Sequence, residues 1–482
     1  MAPGRLRYWG RASIVAGTAV LSLAGLAGVA APSQATPSSA AALPAGPVAA
    51  TPVTNTPHLL PTTSTTDQIR QIAQCGNTMY AVGTFAQIKR GSTTYTRNNV
   101  FSFSATAPYA VTAWAPNVNG IVNSIAFNGT NCSDVYIGGK FTTVNGTAAK
   151  NLAELDATTG NVVTAFGHSA SAQVQTLLGV SGHILVGGYF TSINNSSANP
   201  YFTSLNPTTG KDDGFLNLNI SGTYQFAGVA SNATRVYNQE LSHSGTYDLV
   251  MGDFTSVGGV PRQQIFMLDV ATSPATVTGW TSPEWDGSQG EATPSNPHNG
   301  YPYECATVEP YYIQAASWSP DDSTVYIATT GYHPNGWPTG HSPRNGLCDA
   351  AASFPGTPNP AAGYVLHNWV NYTGCDSLFA TAADQNAVYI GGHERFASNP
   401  TTCDALGTGG FNAPGMAGFV PGTGALMLNA AGTAGLYQRA RGLGADDMMV
   451  NSSGLWIASD NYEDSQMCGG AQGLAGLCLL PY

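Results

Sequence analysis

Tyr136-Ile137-Gly138-Gly139-Lys140-Phe141 decides the fold. It is an apolar pair, then two small residues, then a polar residue and Phe. The phrase also stands at Tyr80-Ala81-Val82-Gly83-Thr84-Phe85, Leu185-Val186-Gly187-Gly188-Tyr189-Phe190 and Leu249-Val250-Met251-Gly252-Asp253-Phe254. Weaker copies are Tyr326-Ile327-Ala328-Thr329-Thr330, Tyr389-Ile390-Gly391-Gly392-His393 and Trp456-Ile457-Ala458-Ser459-Asp460. Aligned on the second small residue, the copies fall at 83, 139, 188, 252, 329, 392 and 459. A phrase returning at such intervals marks a repeat architecture.

The second copy shows what one repeat contains. Val122–Phe127 is a short apolar-rich run closed by Asn128-Gly129, a turn signal. Val135–Phe141 is β-branched and aromatic, as a strand requires. Val144-Asn145-Gly146-Thr147 reads as a loop, Leu152–Asp156 as a third strand and Val162–Phe166 as a fourth. Between the last two, Asp156-Ala157-Thr158-Thr159-Gly160 supplies a carboxylate for the turn backbone and a Gly free to take positive φ. The same turn returns as Asn206-Pro207-Thr208-Thr209-Gly210 and Val420-Pro421-Gly422-Thr423-Gly424. Such a sheet cannot bury both faces alone. Stacking sheets around an axis buries them, which is a β-propeller. The expected fold is all-β, with seven blades of four antiparallel strands. Small residues inside a strand fit only where another backbone or sheet comes close.

The last repeat is one strand short. It offers Gly442–Val450, Leu455–Ser459 and Leu477–Leu480. Residues 52–62 hold Val53, His58, Leu59 and Leu60 among Pro and Thr, a composition suited to an edge strand. They are expected to close the last blade from outside.

Val135-Tyr136-Ile137-Gly138-Gly139, with a later Phe closing the blade, resembles the Kelch and galactose-oxidase type of propeller. The chain is more similar still to a group of secreted bacterial propeller proteins without an established function. The residues that carry this are Trp318-Ser319-Pro320-Asp321, Leu347-Cys348-Asp349-Ala350-Ala351, Trp369-Val370-Asn371-Tyr372-Thr373-Gly374 and Val388-Tyr389-Ile390-Gly391-Gly392-His393. These motifs define blades, so the resemblance implies a fold and no activity. Ala328-Thr329 and Ala458-Ser459 depart from its Gly-Gly.

The bulk composition narrows the class. Of 482 residues only 9% are charged, against the usual quarter, while 43% are hydrophobic. The surface must then be Ser, Thr, Asn, Gln and Gly, which suits an extracellular protein. Lys plus Arg total 16 and the net charge is −11, so no basic footprint for nucleic acid exists. Arg5, Arg7 and Arg11, the small apolar stretch Ala12–Ala31 and Ser33-Gln34-Ala35 read as a signal peptide over residues 1–35. Residues 36–51 are a flexible lead-in and 52–482 the propeller. Removal of the three arginines takes the charge from −11 to −14. A secreted monomer without a membrane anchor is expected.

Eight Cys in an exported chain imply disulfides, and no C-x-x-C points to zinc. The blade model pairs Cys75 with Cys132, Cys305 with Cys348, Cys375 with Cys403, and Cys468 with Cys478.

No nucleophile elbow, zincin motif, phosphate loop or EF-hand loop is present, and neither a cofactor nor a metal is expected. What remains is geometry. Loops leaving the second strand and connections between blades share one face. Three long insertions fall in those classes, at Thr281–Tyr312, Gly331–Ala362 and Ser398–Pro414. The candidate ligand-binding residues there are Asp253, Tyr332, His333, Trp337, His341, His393, Glu394, Arg395 and Asp460. Aromatics mixed with a few charges suit a binding surface for a glycan or a protein partner. The alternative is an extracellular glycan hydrolase or lyase using acids or His on the same face.

Overall fold

Each copy of the repeated phrase is the second strand of a sheet. In the computed structural model these strands are Thr78–Thr84, Asn131–Lys140, His183–Gly188, Tyr247–Asp253, Thr324–Thr329, Val388–Gly392 and Gly454–Ser459. Every one is sandwiched between an innermost strand before it and a third strand after it, with antiparallel pairing throughout. The innermost strands are Gln68–Cys75, Ile121–Asn128, Val174–Val180, Arg235–Leu241, Ile313–Trp318, Leu378–Ala383 and Ala445–Asn451. We number the seven sheets found among the described residues as blades one to seven. The described residues are 47–61, 67–180, 182–223, 233–285, 313–330, 347, 349–403, 405–429, 432, 444–461 and 474–482. All belong to one unit, Ala41–Tyr482. They contain no helix. The chain is a β-propeller. The expected signal peptide, and the lead-in up to residue 46, lie outside the described residues.

Burial explains why the phrase is apolar throughout and does not alternate. A blade packs on both faces, so both sides of its strands must be apolar. Tyr136 joins Val174, Ile184 and Val186 of blade three, while Val135 and Ile137 join Tyr80, Val82 and Val100 of blade one. Seven buried clusters arise in this way, each built from two neighbouring blades. The cluster of Ile72, Phe101 and Phe103 with Trp456, Leu477 and Leu479 joins blade one to blade seven and completes the ring. Each fully buried Leu, Ile, Val or Phe contributes about 1.5–3 kcal/mol.

The small pair has two distinct causes. A Cβ on Gly187 would lie 2.6 Å from Val236 Cγ1, so the first glycine admits the next blade's inner strand. A Cβ on Gly392 would lie 2.5 Å from Ser377 O, so the second admits the backbone entering its own inner strand.

Three sequence expectations need correction. Among the described residues, four-stranded sheets occur only in blades four and five, whose outer strands are Thr276–Val277 and Trp369–Tyr372. In blade two the expected strand Val162–Phe166 gives one bridge, Leu155 to Val162. After Val163 the chain turns inward, with Phe166 N donating to Val163 O, and buries Phe166 against Tyr136. Second, Val144–Thr147 is a hairpin of Thr143–Val144 with Thr147–Ala148, turned by Asn145 and Gly146 at φ 50 and 77. Third, the insertion read as Gly331–Ala362 ends before Ala350, because Ala350–Pro355 is the third strand of blade five.

The N-terminal segment does lie beside the last blade. Ala49 N donates to Pro481 O, Val53 N to Leu479 O and Leu59 N to Ala475 O, antiparallel to Leu477–Pro481. It is an irregular ladder and not a regular strand. Its only regular part, His58–Leu59, pairs with Ile88 and Lys89 of the hairpin formed by Gln87–Arg90 and Thr93–Thr96.

Candidate functional site

The ring of inner strands encloses a channel with a cavity of about 550 Å³, within the range of small-molecule sites. Its lining has a regular origin. Every innermost strand skips one residue in its pairing with the second strand. The skipped residues are Arg70, Asn123, Gln175, Tyr237, Gln314, Phe379 and Asp446. Such a bulge re-aims a side chain, and all seven residues line the channel. One backbone irregularity, repeated around the ring, thus presents two charged groups, three amides and two aromatic rings to one space.

The residue after the bulge joins blades. Ile125 N donates to Gln71 Oε1 at 2.7 Å, Leu177 N to Ser124 Oγ at 2.9 Å, and Ile72 N to Asp447 Oδ2 at 2.8 Å. In each case a side chain of the preceding blade caps an inner-strand N–H of the next. Asn238 Nδ2 spans the seam from blade four to blade five by donating to Gln314 O at 3.0 Å.

The bulges sit near the start of the inner strands. Antiparallel register places that end beside the ends of the second strands, as in Ile121 opposite Lys140 and Gln68 opposite Thr84. The chain therefore enters blade five at Ile313 and leaves its second strand at Thr329 on the side where the bulges lie. This is the face expected to carry the ligand.

Of the residues expected on that face, Tyr332, His333, Trp337 and His341 lie outside the described residues. Asp253 ends its strand and Asp460 directly follows one, both fully buried, and Asp460 bridges to Gln68 across the seam between blades seven and one. His393 N donates to Ser377 O. Glu394 is buried, and its backbone carbonyl accepts from Gly415 N. Arg395 is engaged inside the chain: its Nε and Nη2 each reach an oxygen of Asp376 at 2.7 Å, and its guanidinium stacks on Phe396. It fastens the third loop to the base of blade six. That loop is organised by buried Asn399, whose amide donates to Thr402 O and Ala405 O and accepts from Gly407 N. The Cys375–Cys403 disulfide ties it down, and Cys75–Cys132 joins blades one and two, both as expected. Cys478 is disulfide-bonded, while Cys468, Cys305 and Cys348 lie outside the described residues.

The channel carboxyls were not among the residues singled out from sequence. Glu240, Asp446 and Asp447 all line it. They are only partly covered, because each borders the channel, so the lost hydration comes from the enclosing strands. That loss raises Asp446 to about 8, with Arg70 opposing and Asp460 and Asp447 adding. It raises Asp447 to about 7 and Glu240 well above the ordinary range, Glu240 also feeling Asp447 and Asp248. On the inner strand of blade four, which also carries Glu240, Arg235 donates to the Tyr189 hydroxyl at 2.7 Å and lies over the Tyr189 and Tyr237 rings. No group of three or more His, Cys, Asp or Glu among the described residues is arranged to hold a metal. No helix among them is long and apolar enough to cross a membrane.

A signal for the bulges exists in the sequence. Apolar residues stand three apart, as in Ile69 and Ile72, Val122 and Ile125, Val174 and Leu177. A regular strand repeats every two.

A family model described as "Domain of unknown function (DUF5122) beta-propeller" matches residues 181–199, a stretch that contains the third copy of the phrase. Among solved structures the chain is similar to the WD40 β-propeller domain of Doa1, at 11% identity and TM-score 0.39, over 85% of this chain and 95% of that one. It is also similar to BamB from Moraxella catarrhalis, at 14% identity and TM-score 0.38, over 85% and 96%. No curated protein matches the sequence.

Proposed function

We propose that this is a secreted binding propeller that takes a glycan on the long-loop face, with an end of the glycan entering the channel. The observation that carries the reading is the ring of seven bulged residues. Amides beside aromatic rings suit a sugar, whose hydroxyls need paired donors and acceptors and whose ring faces are apolar. A rigid ring of strands beneath the third loop, fixed by Asn399, Asp376–Arg395 and a disulfide, supports a pre-ordered site, which lowers the entropic cost of binding. The disulfides and the low charge support action outside the cell.

The test is calorimetric titration of the mature chain with a panel of oligosaccharides. Gln175→Ala and Phe379→Ala each weaken binding at least about tenfold, the scale of one lost hydrogen bond or ring contact in a desolvated site. Lys211→Ala, an exposed change beyond the third strand of blade three at the other end of the ring, leaves it unchanged. Equal loss in all three, or loss only in the last, refutes the placement.

A second reading draws on the channel acids. A carboxyl kept protonated near neutrality is what a glycan hydrolase needs as its general acid. Asp446, raised to about 8, meets that condition. Asp447 is less suited, since its oxygens already accept from Ile72 N and Met448 N. Release of reducing ends from a bound oligosaccharide, lost in Asp446→Asn, would favour this reading over binding alone.

A further inference from the structure

One wall of the channel offers donors that nothing in the chain takes. Arg70 is the bulged residue of blade one, and its exposed side chain lines the channel. Among the described residues that side chain makes no hydrogen bond, ion pair or ring contact. Gln71 follows on the same wall, half-buried. Its Oε1 accepts from Ile125 N, which fixes the amide and leaves Nε2 as a donor without a partner among the described residues. The second cation of the lining, Arg235, has already given Nη1 to the Tyr189 hydroxyl and its flat face to two rings.

The acids of the channel do not answer Arg70. Asp446 of blade seven feels it through space, without an ion pair. Asp446 Oδ1 accepts from Gln68 Nε2 at 3.1 Å, and its Oδ2 is enclosed with no partner among the described residues. An enclosed oxygen without a donor favours the neutral acid, in keeping with a value of about 8, and Asp447 and Asp460 of the same blade push the same way. Asp447, at about 7, already accepts from Ile72 N and Met448 N. Glu240 is held well above its ordinary range. His243 of blade four, beside Asp322 Oδ1 at 3.3 Å, is the one imidazole of the lining. Blades two, three, five and six line the channel with no charged side chain. At pH 7 two full cations therefore stand with three carboxyls that are half or mostly protonated.

A guanidinium presents paired N–H donors in one plane, and a carboxylate returns two acceptors to match them. A neutral hydroxyl uses one donor and leaves the charge unmatched. We propose that the channel takes the carboxylate of a uronic acid on the Arg70 fork, with Gln71 donating from the same wall. This inference rests on the glycan reading above and names the sugar class. The chain's net charge of −11 repels an acidic glycan at a distance, but that field is screened within about 8 Å at physiological salt. Recognition is therefore local to the channel. A carboxylate arriving there favours the neutral forms of Asp446 and Asp447, so binding takes up protons and weakens as pH rises through about 7 to 8.

The experiment titrates the mature chain calorimetrically with 1,4-linked tetramers of galacturonate and of glucuronate, and with the methyl ester of each, which keeps the sugar and loses the charge. At pH 6.5 at least one acid is expected to bind about tenfold or more tightly than its ester, the scale of one hydrogen bond to a charged group. Its binding heat should change with the ionisation enthalpy of the buffer, as proton uptake requires. Arg70→Gln should remove the preference without lowering the melting temperature, since the side chain holds nothing in the fold. Asp446→Asn, fixed in the neutral form, should keep more of the preference at pH 8.5 than the parent does. Acid and ester bound alike, a preference that survives Arg70→Gln, or one that Asp446→Asn abolishes, overturns the uronate inference while the glycan reading stands. Binding of none of the four overturns it too, and the glycan reading then falls only if the wider oligosaccharide panel is also silent.

Discussion

Replacing Ser124 by Ala isolates one cap between blades. Ser124 is 2% exposed, and its hydroxyl accepts from Leu177 N at 2.9 Å across the seam from blade two to blade three. The substitution removes one oxygen and almost no volume, so the apolar packing term is small. What remains is a backbone N–H enclosed by two blades without its acceptor, a cost of about 1–3 kcal/mol. Water from the channel can approach Ser124, which lines it, so the lower half of that range is expected. The assay is equilibrium denaturation in urea, comparing midpoints at unchanged slope. Thr94→Ala, exposed on the strand Thr93–Thr96, is the control and should stay within about 0.5 kcal/mol of the parent. Gln71→Ala, which uncaps Ile125 N, should cost as much as Ser124→Ala. If Ser124→Ala and Thr94→Ala are equally stable, the caps do not hold the blades and the reasoning is refuted.

Stability should fall as pH rises from about 4 to 8. Asp248, Asp447 and Glu154 are raised to about 7 and Asp446 to about 8, chiefly by burial. The folded state therefore holds their protons more tightly than the unfolded one, and that contribution is lost through the folded values. Melting should be higher at pH 5 than at pH 8.5, and Asp248→Asn, fully buried, should flatten the difference; a higher melting temperature at pH 8.5 would contradict it. Below pH 4 the trend reverses, because hydroxyls of Ser319 and Ser323 hold Asp321 below its ordinary value. Arg395→Ala should cost about 1.5–3 kcal/mol, the worth of charged hydrogen bonds, and should expose residues 398–414 to proteolysis; unchanged cleavage there would remove the proposed fastening role. A chain beginning at Asp67 lacks the ladder to Leu477–Pro481 and should melt lower and associate through that edge, so an equal melting temperature would count against closure by the N-terminal segment.

Much of the fold was legible because it rests on a repeated physical demand. A blade buried on both faces needs an apolar second strand, and close approach of the neighbouring inner strand needs small residues, so Tyr136–Phe141 announces both. Cys75 and Cys132 were readable for the same reason: equivalent points of successive repeats are neighbours in a ring. The outer strands were not, because edge pairing imposes little on sequence; Val162–Phe166 has strand composition and is drawn inward by Phe166. The channel was hidden for a different reason. The bulge is imposed by the backbone, and the residue it carries is free to be Arg, Asn, Gln, Tyr, Phe or Asp. No phrase therefore marks it, and only the three-residue apolar spacing gives it away. Arg395 misled in the opposite sense, since a charged residue beside a small pair reads as a surface group whether or not an Asp376 waits for it.

The ladder at the last blade also sets how the ring responds to force. Ala49 meets Pro481 and Leu59 meets Ala475, so the two strands of this seam run in opposite directions, with their outward-leading ends together. Tension carried along the chain on either side enters at the Ala49–Pro481 contact. It peels the bonds one after another, as a zipper opens, and does not load them all in parallel as a shear would. A pull on the chain therefore strips the outer segment from the last blade before it loads the seam of Ile72, Phe101 and Phe103 against Trp456, Leu477 and Leu479 that completes the ring.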